Sequence, residues 1–338
     1  MLEIPYNGKI GKDLNLEEFI DAVEKPEIID IFDGVLKERT KRVVYTSFNG
    51  DFLDYINHMV YVALKLGYTP INPECALGYY LSTSSHNNSK IETMLDCISL
   101  ELLCDEIWLF LENASDAKLY PEGVAAEIMA WISNKPDANM NLRIFGDELV
   151  KSFNTIATIG NQAVPIYNFY NDFPQYEEVN ISNIIKSFDE RYSYEIQTKL
   201  IDKLNANQRK CVYVSTDFYD IKYSDWARKY LYEKNMVGII PSQLLNSFVL
   251  NFAYKDQVIE SYLADRRALL SKIDTIYFIQ KPGAGSRFSI DFLFDVYYWL
   301  KNKDKYSANF YDWSEFNVPK FSDRWALTTK EHCEVWNS

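Results

Sequence analysis

The strongest constraint on the fold is an internal repeat at an offset of 168 or 169 residues, close to half of the 338-residue chain. The segment VVYTS at 43–47 matches CVYVS at 211–215, which places Tyr213 168 positions after Tyr45 (213 − 45 = 168). Later matches keep this offset and join the following pairs: Pro73 with Pro241, Asp96 with Asp265, Asp105 with Asp274, and Trp131 with Trp299. Because the offset persists from the first strand to the last helix, it predicts a tandem duplication of one folding unit.

Each unit shows predicted strands that alternate with helices. A β-rich apolar run at 42–47 or 210–215 precedes a second strand that ends at a proline, and a third strand follows at 105–111 or 274–280. Such alternation favours right-handed crossovers and a parallel sheet. We therefore predict an α/β fold with two tandem Rossmann- or flavodoxin-like parallel-sheet units, each flanked by helices, that together form a pseudo-dimer.

The two units are predicted to occupy residues 1–168 and 169–338, which we call the first half and the second half. The flanking segments give the following predictions: helices at 16–38 and 182–205, a strand at 142–145, a connector at 146–180 and an aromatic tail at 306–338. We expect the tail to pack on the body of the protein, because large exposed aromatic side chains are unusual.

Charge and residue usage exclude several classes of function. Lys and Arg number 35 against 48 Asp and Glu, a net charge of −13, whereas duplex nucleic acid and anionic membrane surfaces are bound through basic patches. The N-terminal segment lacks the apolar core of a signal peptide, and no apolar run has the length of a membrane span. We therefore predict a cytoplasmic protein that binds neither duplex nucleic acid nor membrane.

The 5 cysteines show no CxxC spacing and the 3 histidines no paired spacing, so neither a metal site nor a cofactor is predicted.

Polar residues follow the first two predicted strands of the first half. In an open parallel sheet, ligands bind beyond the carboxyl ends of the strands. The first strand brings Tyr45, Ser47 and Asn49 to that edge, and the second brings Asn72 and Glu74. We predict that Ser47, Asn49, Asn72 and Glu74 contact a substrate there.

The segment GVAAE at 123–127 is the most informative stretch for chemistry. Gly123 opens a predicted helix and lets backbone approach a ligand, and the small residues after it leave room. Glu127 lies one turn further, where the helix dipole is expected to keep its carboxylate ionised and able to act as a nucleophile. The alternative interpretation is that Glu122 and Glu127 are favourable charges in an exposed first helical turn.

Four segments resemble the nucleoside 2-deoxyribosyltransferase-like superfamily over residues 42–135: VVYTSFNG, GYTPINPE, the pattern D-x8-D followed by EIWLFL, and GVAAEI. The resemblance implies that Glu127 is the nucleophile, that Asp96 holds or protonates the leaving base, and that Tyr45 orients Glu127. The spacing of Asp96 and Asp105 is one residue wider than is usual in that superfamily.

The resemblance also implies cleavage or transfer at the N-glycosidic bond of a nucleoside or nucleotide, through a glycosyl-enzyme on Glu127. Hydrolysis and transfer both stay open, as does the identity of the base. Two alternatives remain: a non-catalytic module that binds or senses a nucleotide, and a glycohydrolase that acts on NAD or a modified nucleotide.

The second half keeps the scaffold and changes the motif. Asp295 and Asp291 stand at the positions of Glu127 and Gly123. Because Asp is one methylene shorter, we expect its carboxylate to fall about 1.5 Å short of the same point. We therefore predict that the second half is degenerate and closes the pocket of the first half, as a neighbouring subunit does in homo-oligomeric relatives. Further association of the chain into a homo-oligomer stays open.

Overall fold

The computed structural model describes these residues: 2–48, 56–77, 90–110, 122–135, 142–145, 156–159, 162–165, 177–178, 186, 194–217, 227–228, 230–232, 234–245, 247–254, 258–280 and 287–312. The strands are β1 (Glu3–Pro5), β2 (Arg42–Phe48), β3 (Tyr68–Ile71), β4 (Glu106–Phe110), β5 (Leu142–Phe145), β6 (Ile156–Ile159), β7 (Gln162–Pro165), β8 (Glu177–Glu178), β9 (Lys210–Thr216), β10 (Met236–Ile239), β11 (Thr275–Gln280), β12 (Arg287–Ser289) and β13 (Ser307–Asp312). The helices are α1 (Leu16–Ala22), α2 (Pro26–Lys37), α3 (Ile56–Lys65), α4 (Pro73–Leu77), α5 (Lys90–Glu101), α6 (Glu122–Asn134), α7 (Tyr194–Ala206), α8 (Pro241–Leu244), α9 (Ser247–Tyr254), α10 (Val258–Leu270) and α11 (Ile290–Lys301).

The main sheet of the first half has the strand order β3-β2-β4-β5-β8. Its first four strands are parallel, and β8 pairs antiparallel with β5 at the edge. Strand β2 is an interior strand next to the β3 edge, with Tyr45 beside Ile71 on one neighbour and beside Ile107 on the other. Strands buried on both faces are apolar nearly throughout, which is why β2 and β4 could be predicted from the sequence.

The sheet of the second half has the strand order β10-β9-β11-β13, and every pair is parallel. Tyr213 on its central strand lies beside Ile239 and Ile276. These are the positions that the repeat aligns with the neighbours of Tyr45. The two sheets thus share the order second, first, third and fourth strand, with the same register at the central tyrosine. The prediction of an α/β fold with parallel sheets flanked by helices is confirmed.

Several flanking segments differ from the sequence-based expectation. The helical segment at 16–38 is two helices, since Pro26 begins α2 and ends the continuous pattern. The predicted connector at 146–180 contains β6, β7 and β8. The predicted tail begins with β13, the fourth strand of the second sheet. Its residues Trp313, Trp325 and Trp336 lie outside the described part of the chain.

The N-terminal segment packs against the second half. Strand β1 pairs antiparallel with β12, and Phe32 of α2 contacts the rings of Phe294 and Tyr297 on α11 at centroid distances of 5.4 and 5.5 Å. One apolar core extends through both halves. Across the described segments, no helix combines the length and the apolar character needed to cross a membrane.

Candidate functional site

Glu127 accepts hydrogen bonds from two side chains at the carboxyl end of the central strand of the first half. The Tyr45 hydroxyl donates to Glu127 Oε1 at 2.8 Å, and the Ser47 hydroxyl donates to Glu127 Oε2. Tyr45 and Ser47 are two positions apart on β2, so both project from one face of the sheet towards α6. All three side chains are buried, and Glu127 is 6% exposed. We call Tyr45, Ser47 and Glu127 the first acid site.

The pKa of Glu127 lies close to neutral pH. Burial raises the pKa of Glu127 to about 7, and the hydrogen bonds from Ser47 and Tyr45 oppose that rise. Burial therefore opposes the ionised state that the helix dipole is expected to favour. Burial also raises the pKa of Tyr45 well above its usual value, so its hydroxyl stays a donor. A carboxyl that titrates near pH 7 suits acid, base or nucleophilic chemistry.

Two residues of α5 that no sequence motif indicated, Cys97 and Glu101, lie near this site. Burial, and next the charge of Glu127, raises the pKa of Cys97 well above its usual value, and a hydrogen bond with Tyr45 opposes the rise. Glu101, one turn further along α5, is fully buried, and neither of its oxygens has a hydrogen-bond partner among the described residues. Burial and the charge of Glu127 raise its pKa well above the usual value. The internal repeat could have indicated these two residues, because it aligns Cys97 and Glu101 with Arg266 and Leu270, which differ from them in charge.

The residues that follow β3 have mainly structural contacts. Asn72 donates to Thr46 Oγ1 at 2.9 Å, and its own Oδ1 accepts from the backbone N–H groups of Glu74 and Cys75 at 3.1 and 3.3 Å. It thereby caps α4, and its contact with a substrate stays a prediction. Burial raises the pKa of Glu74 to about 7, and the charge of Arg228 from the second half opposes that rise.

Gly123 lies in the first turn of α6, which begins at Glu122, and a Cβ atom there would lie 3.2 Å from Met94 Cε. A side chain at this position would therefore have to displace the end of the Met94 side chain by a few tenths of an ångström. Asn49, the remaining predicted contact residue, lies outside the described residues.

Asp96 forms an ion pair across the two halves. Arg209 Nη1 lies 3.0 Å from Asp96 Oδ1, and both side chains are buried. A matching pair joins Lys41 Nζ to Asp265 Oδ1 at 2.8 Å. The structure thus brings Tyr45 and Ser47 to Glu127, and it brings Asp96 to Arg209. The role of Asp96 in protonating a leaving base stays a prediction.

The second half repeats the arrangement of the acid site. Tyr213 donates to Asp295 Oδ1 at 3.0 Å, and Ser215 donates to Asp295 Oδ2 at 2.6 Å. We call Tyr213, Ser215 and Asp295 the second acid site. The expectation that the shorter Asp side chain falls short was wrong, because its carboxylate reaches the same two donors. The difference between the halves is a cation: Arg266 Nε donates to Asp295 Oδ1 at 3.1 Å, and its Nη2 pairs with Oδ2.

Comparisons with protein-family models, with curated proteins and with solved structures found no match to this chain. The choice among possible functions therefore depends on the geometry and the electrostatics of the first acid site.

Proposed function

We propose that the chain cleaves or transfers the N-glycosidic bond of a nucleoside or nucleotide, with Glu127 as the nucleophile. The observation that carries the proposal is the pair of hydroxyl groups, on Tyr45 and Ser47, that hold both oxygens of a buried carboxyl. This group lies at the carboxyl edge of the central parallel strand, where open α/β sheets bind ligands.

In the proposed reaction, a Glu127 oxygen forms a bond to the sugar carbon C1′ while the bond from C1′ to the base nitrogen breaks. The electron pair of that bond leaves with the base, and the sugar stays on Glu127 as an ester. Tyr45 and Ser47 orient the carboxylate for this attack. Water or a second base then displaces Glu127 from C1′, which gives hydrolysis or transfer.

We also infer that the two halves are tandem copies that pack as a pseudo-dimer, as expected for a duplicated member of the nucleoside 2-deoxyribosyltransferase-like superfamily. Their ion pairs support this inference, because Lys41 pairs with Asp265 as Arg209 pairs with Asp96 at the aligned positions. Reciprocal contacts of this kind characterise an isologous interface. In this account the first half is the catalytic half and the second half supports it.

A second candidate function is nucleotide binding without turnover. It is favoured by the burial of Glu127 and by the fact that both of its oxygens already accept hydrogen bonds, as those of Asp295 do in the second half. This candidate predicts ligand binding that survives the loss of the Glu127 carboxylate and releases no free base.

Base release from a panel of nucleosides, nucleotides and NAD distinguishes these functions. The wild type is compared with Glu127→Gln and with Tyr213→Phe, the matched control in the second half, each with and without an acceptor base. We expect release by the wild type and by Tyr213→Phe, and none by Glu127→Gln. Release that persists in Glu127→Gln overturns the proposal. Unchanged binding in that variant, with no release by any form, establishes the binding module instead.

A further inference from the structure

The second acid site holds a cation that belongs to the chain itself. Besides its two contacts with Asp295, the Arg266 guanidinium places Nη1 3.0 Å from Asp291 Oδ2, and Nη1 also donates to the Tyr262 hydroxyl at 3.0 Å. Arg266, Asp291 and Asp295 are all buried almost completely. A guanidinium thus occupies the second half in the way a bound ligand would, with carboxylates around it.

The first acid site keeps the carboxylate and lacks this cation. The repeat aligns Arg266 with Cys97 and Asp291 with Gly123, so a small neutral side chain and a glycine replace the ion pair. Cys97 still lies beside Tyr45 and within electrostatic range of Glu127. Among the described residues, no Lys or Arg forms an ion pair with Glu127. A buried carboxylate without a counter-charge is unfavourable, so a positively charged ligand at this site has a favourable partner.

We propose that the substrate supplies the positive charge that Arg266 supplies in the second half, so that the first acid site takes N-glycosides whose leaving group is already a cation. The chemical class is the N-ribosylpyridinium group, as found in nicotinamide riboside and NAD. This inference rests on the proposed function and narrows its substrate class.

The chemistry of this class fits the other contacts of the site. When Glu127 bonds to C1′ and the bond from C1′ to the pyridinium nitrogen breaks, the electron pair neutralises the ring, and no proton has to be delivered to it. A neutral nucleoside base generally needs such a proton. Asp96, the residue expected to supply that proton, is ion-paired with Arg209. Attack of water on C1′ then releases the sugar, regenerates the Glu127 carboxylate and transfers one proton to solvent.

Calorimetric binding of two small probes tests cation recognition without turnover. The probes are 1-methylnicotinamide, a pyridinium cation, and nicotinamide, its neutral counterpart. At pH 8, above the pKa of Glu127 of about 7, we expect the wild type to prefer the cation at least about tenfold. Glu127→Gln should remove that preference, and Cys97→Arg should abolish binding because it introduces the arginine of the second half. If Cys97→Arg does not fold, Glu127→Gln decides the test. Equal affinity of the wild type for both probes overturns the inference.

A turnover assay separates this inference from the proposed function. We expect the wild type to release nicotinamide from nicotinamide riboside or NAD with a kcat/KM at least about 100-fold above that for uridine and inosine, roughly the rate advantage that proton delivery would otherwise supply. Faster cleavage of the neutral nucleosides overturns the inference and leaves the proposed function intact. The expected cation preference without cleavage of any N-glycoside supports the cation site and overturns the proposed function.

Discussion

The Tyr45 hydroxyl donates a 2.8 Å hydrogen bond to Glu127, which lies 82 positions later in the chain, and Tyr213 donates one of 3.0 Å to Asp295 across the same separation of 82. The two halves therefore build one side-chain arrangement twice. They differ in the group that balances the carboxylate, which is the Arg266 guanidinium in the second half. In the first half the charge balance is left to a proton or a ligand. We therefore attribute the proposed chemistry to the first half, where no arginine takes the place of Arg266.

The Tyr45 hydrogen bond should set the pH at which Glu127 becomes active. Tyr45→Phe removes a hydrogen bond that lowers the pKa of Glu127, so the pKa rises further above about 7. We expect the acid limb of the profile of kcat/KM against pH to move to higher pH, and activity at pH 7 to fall by about 10- to 100-fold. Tyr213→Phe is the matched control and should leave the profile unchanged. Identical profiles for the two variants would refute this role of Tyr45.

Glu127 should make the protein less stable as the pH rises. Its pKa is about 7 in the folded protein and 4.5 in the unfolded chain, so between these values the folded protein binds more protons. Its contribution to the free energy of unfolding is present below about pH 4.5 and is lost by pH 7, a change of ~3 kcal/mol.

Urea unfolding of the wild type and Glu127→Gln at several pH values between 5 and 8 measures this effect. The contribution of Glu74, whose pKa is raised by burial, has the same sign in both proteins and cancels in the difference. We expect the stability of the wild type relative to the variant to decline as the pH rises. A constant difference would show that Glu127 has an ordinary pKa.

The Arg266 ion pairs should contribute to the free energy of unfolding and should not affect base release. Arg266→Met leaves the carboxylates of Asp291 and Asp295 buried without their cation, and we expect it to lower the free energy of unfolding by about 3–5 kcal/mol. Adding Asp295→Leu should restore part of that loss, because it removes one uncompensated charge. Base release per folded molecule should stay at the wild-type level. Urea unfolding checks the first expectation, and a loss of release in the folded variant would contradict the second.

The Asp96 ion pair distinguishes a structural role from a catalytic one. Asp96→Asn removes the buried ion pair with Arg209, so we expect a stability loss of about 3 kcal/mol. If the leaving group needs no proton, kcat/KM per folded molecule should fall by less than about fivefold, whereas the loss of a general acid would cost 100-fold or more. Asp265→Asn disrupts the matching pair with Lys41 and serves as the control.

The parts of the fold that follow local patterns could be predicted from the sequence. The apolar runs of β2 and β9 are buried on both faces, and they were placed to within a residue or two. Strand β13 could not be predicted in this way, because its residues are only half-buried and show no alternation. The pairing of β1 with β12 joins residues that lie more than 280 positions apart in the chain, as Glu3 and Ser289 do (289 − 3 = 286), and no local signal specifies such a contact.

In the candidate site, too, the features that follow local sequence patterns could be predicted and those that depend on long-range packing could not. Tyr45 and Ser47 alternate on one strand and Glu127 follows a glycine at a helix start, so the sequence placed all three at one sheet edge. The pKa of Glu127 could not be predicted, because the desolvation that controls it depends on the packing of whole helices around it. The pairing of Arg266 with Asp295 likewise depends on the approach of α10 to α11, and neither residue alone indicates it.

A covalent sugar ester on Glu127 is the most direct test of the central claim. An N-ribosylpyridinium with fluorine at C2′ slows both steps by destabilising the oxocarbenium-like transition state, while its good leaving group still lets the ester form and accumulate. Mass spectrometry of the peptide that contains Glu127 then measures the ester. The account predicts a sugar-sized mass increase on Glu127 in the wild type, none in Glu127→Gln and none on Asp295. A label on another residue, or base release from this substrate without any label, would contradict it.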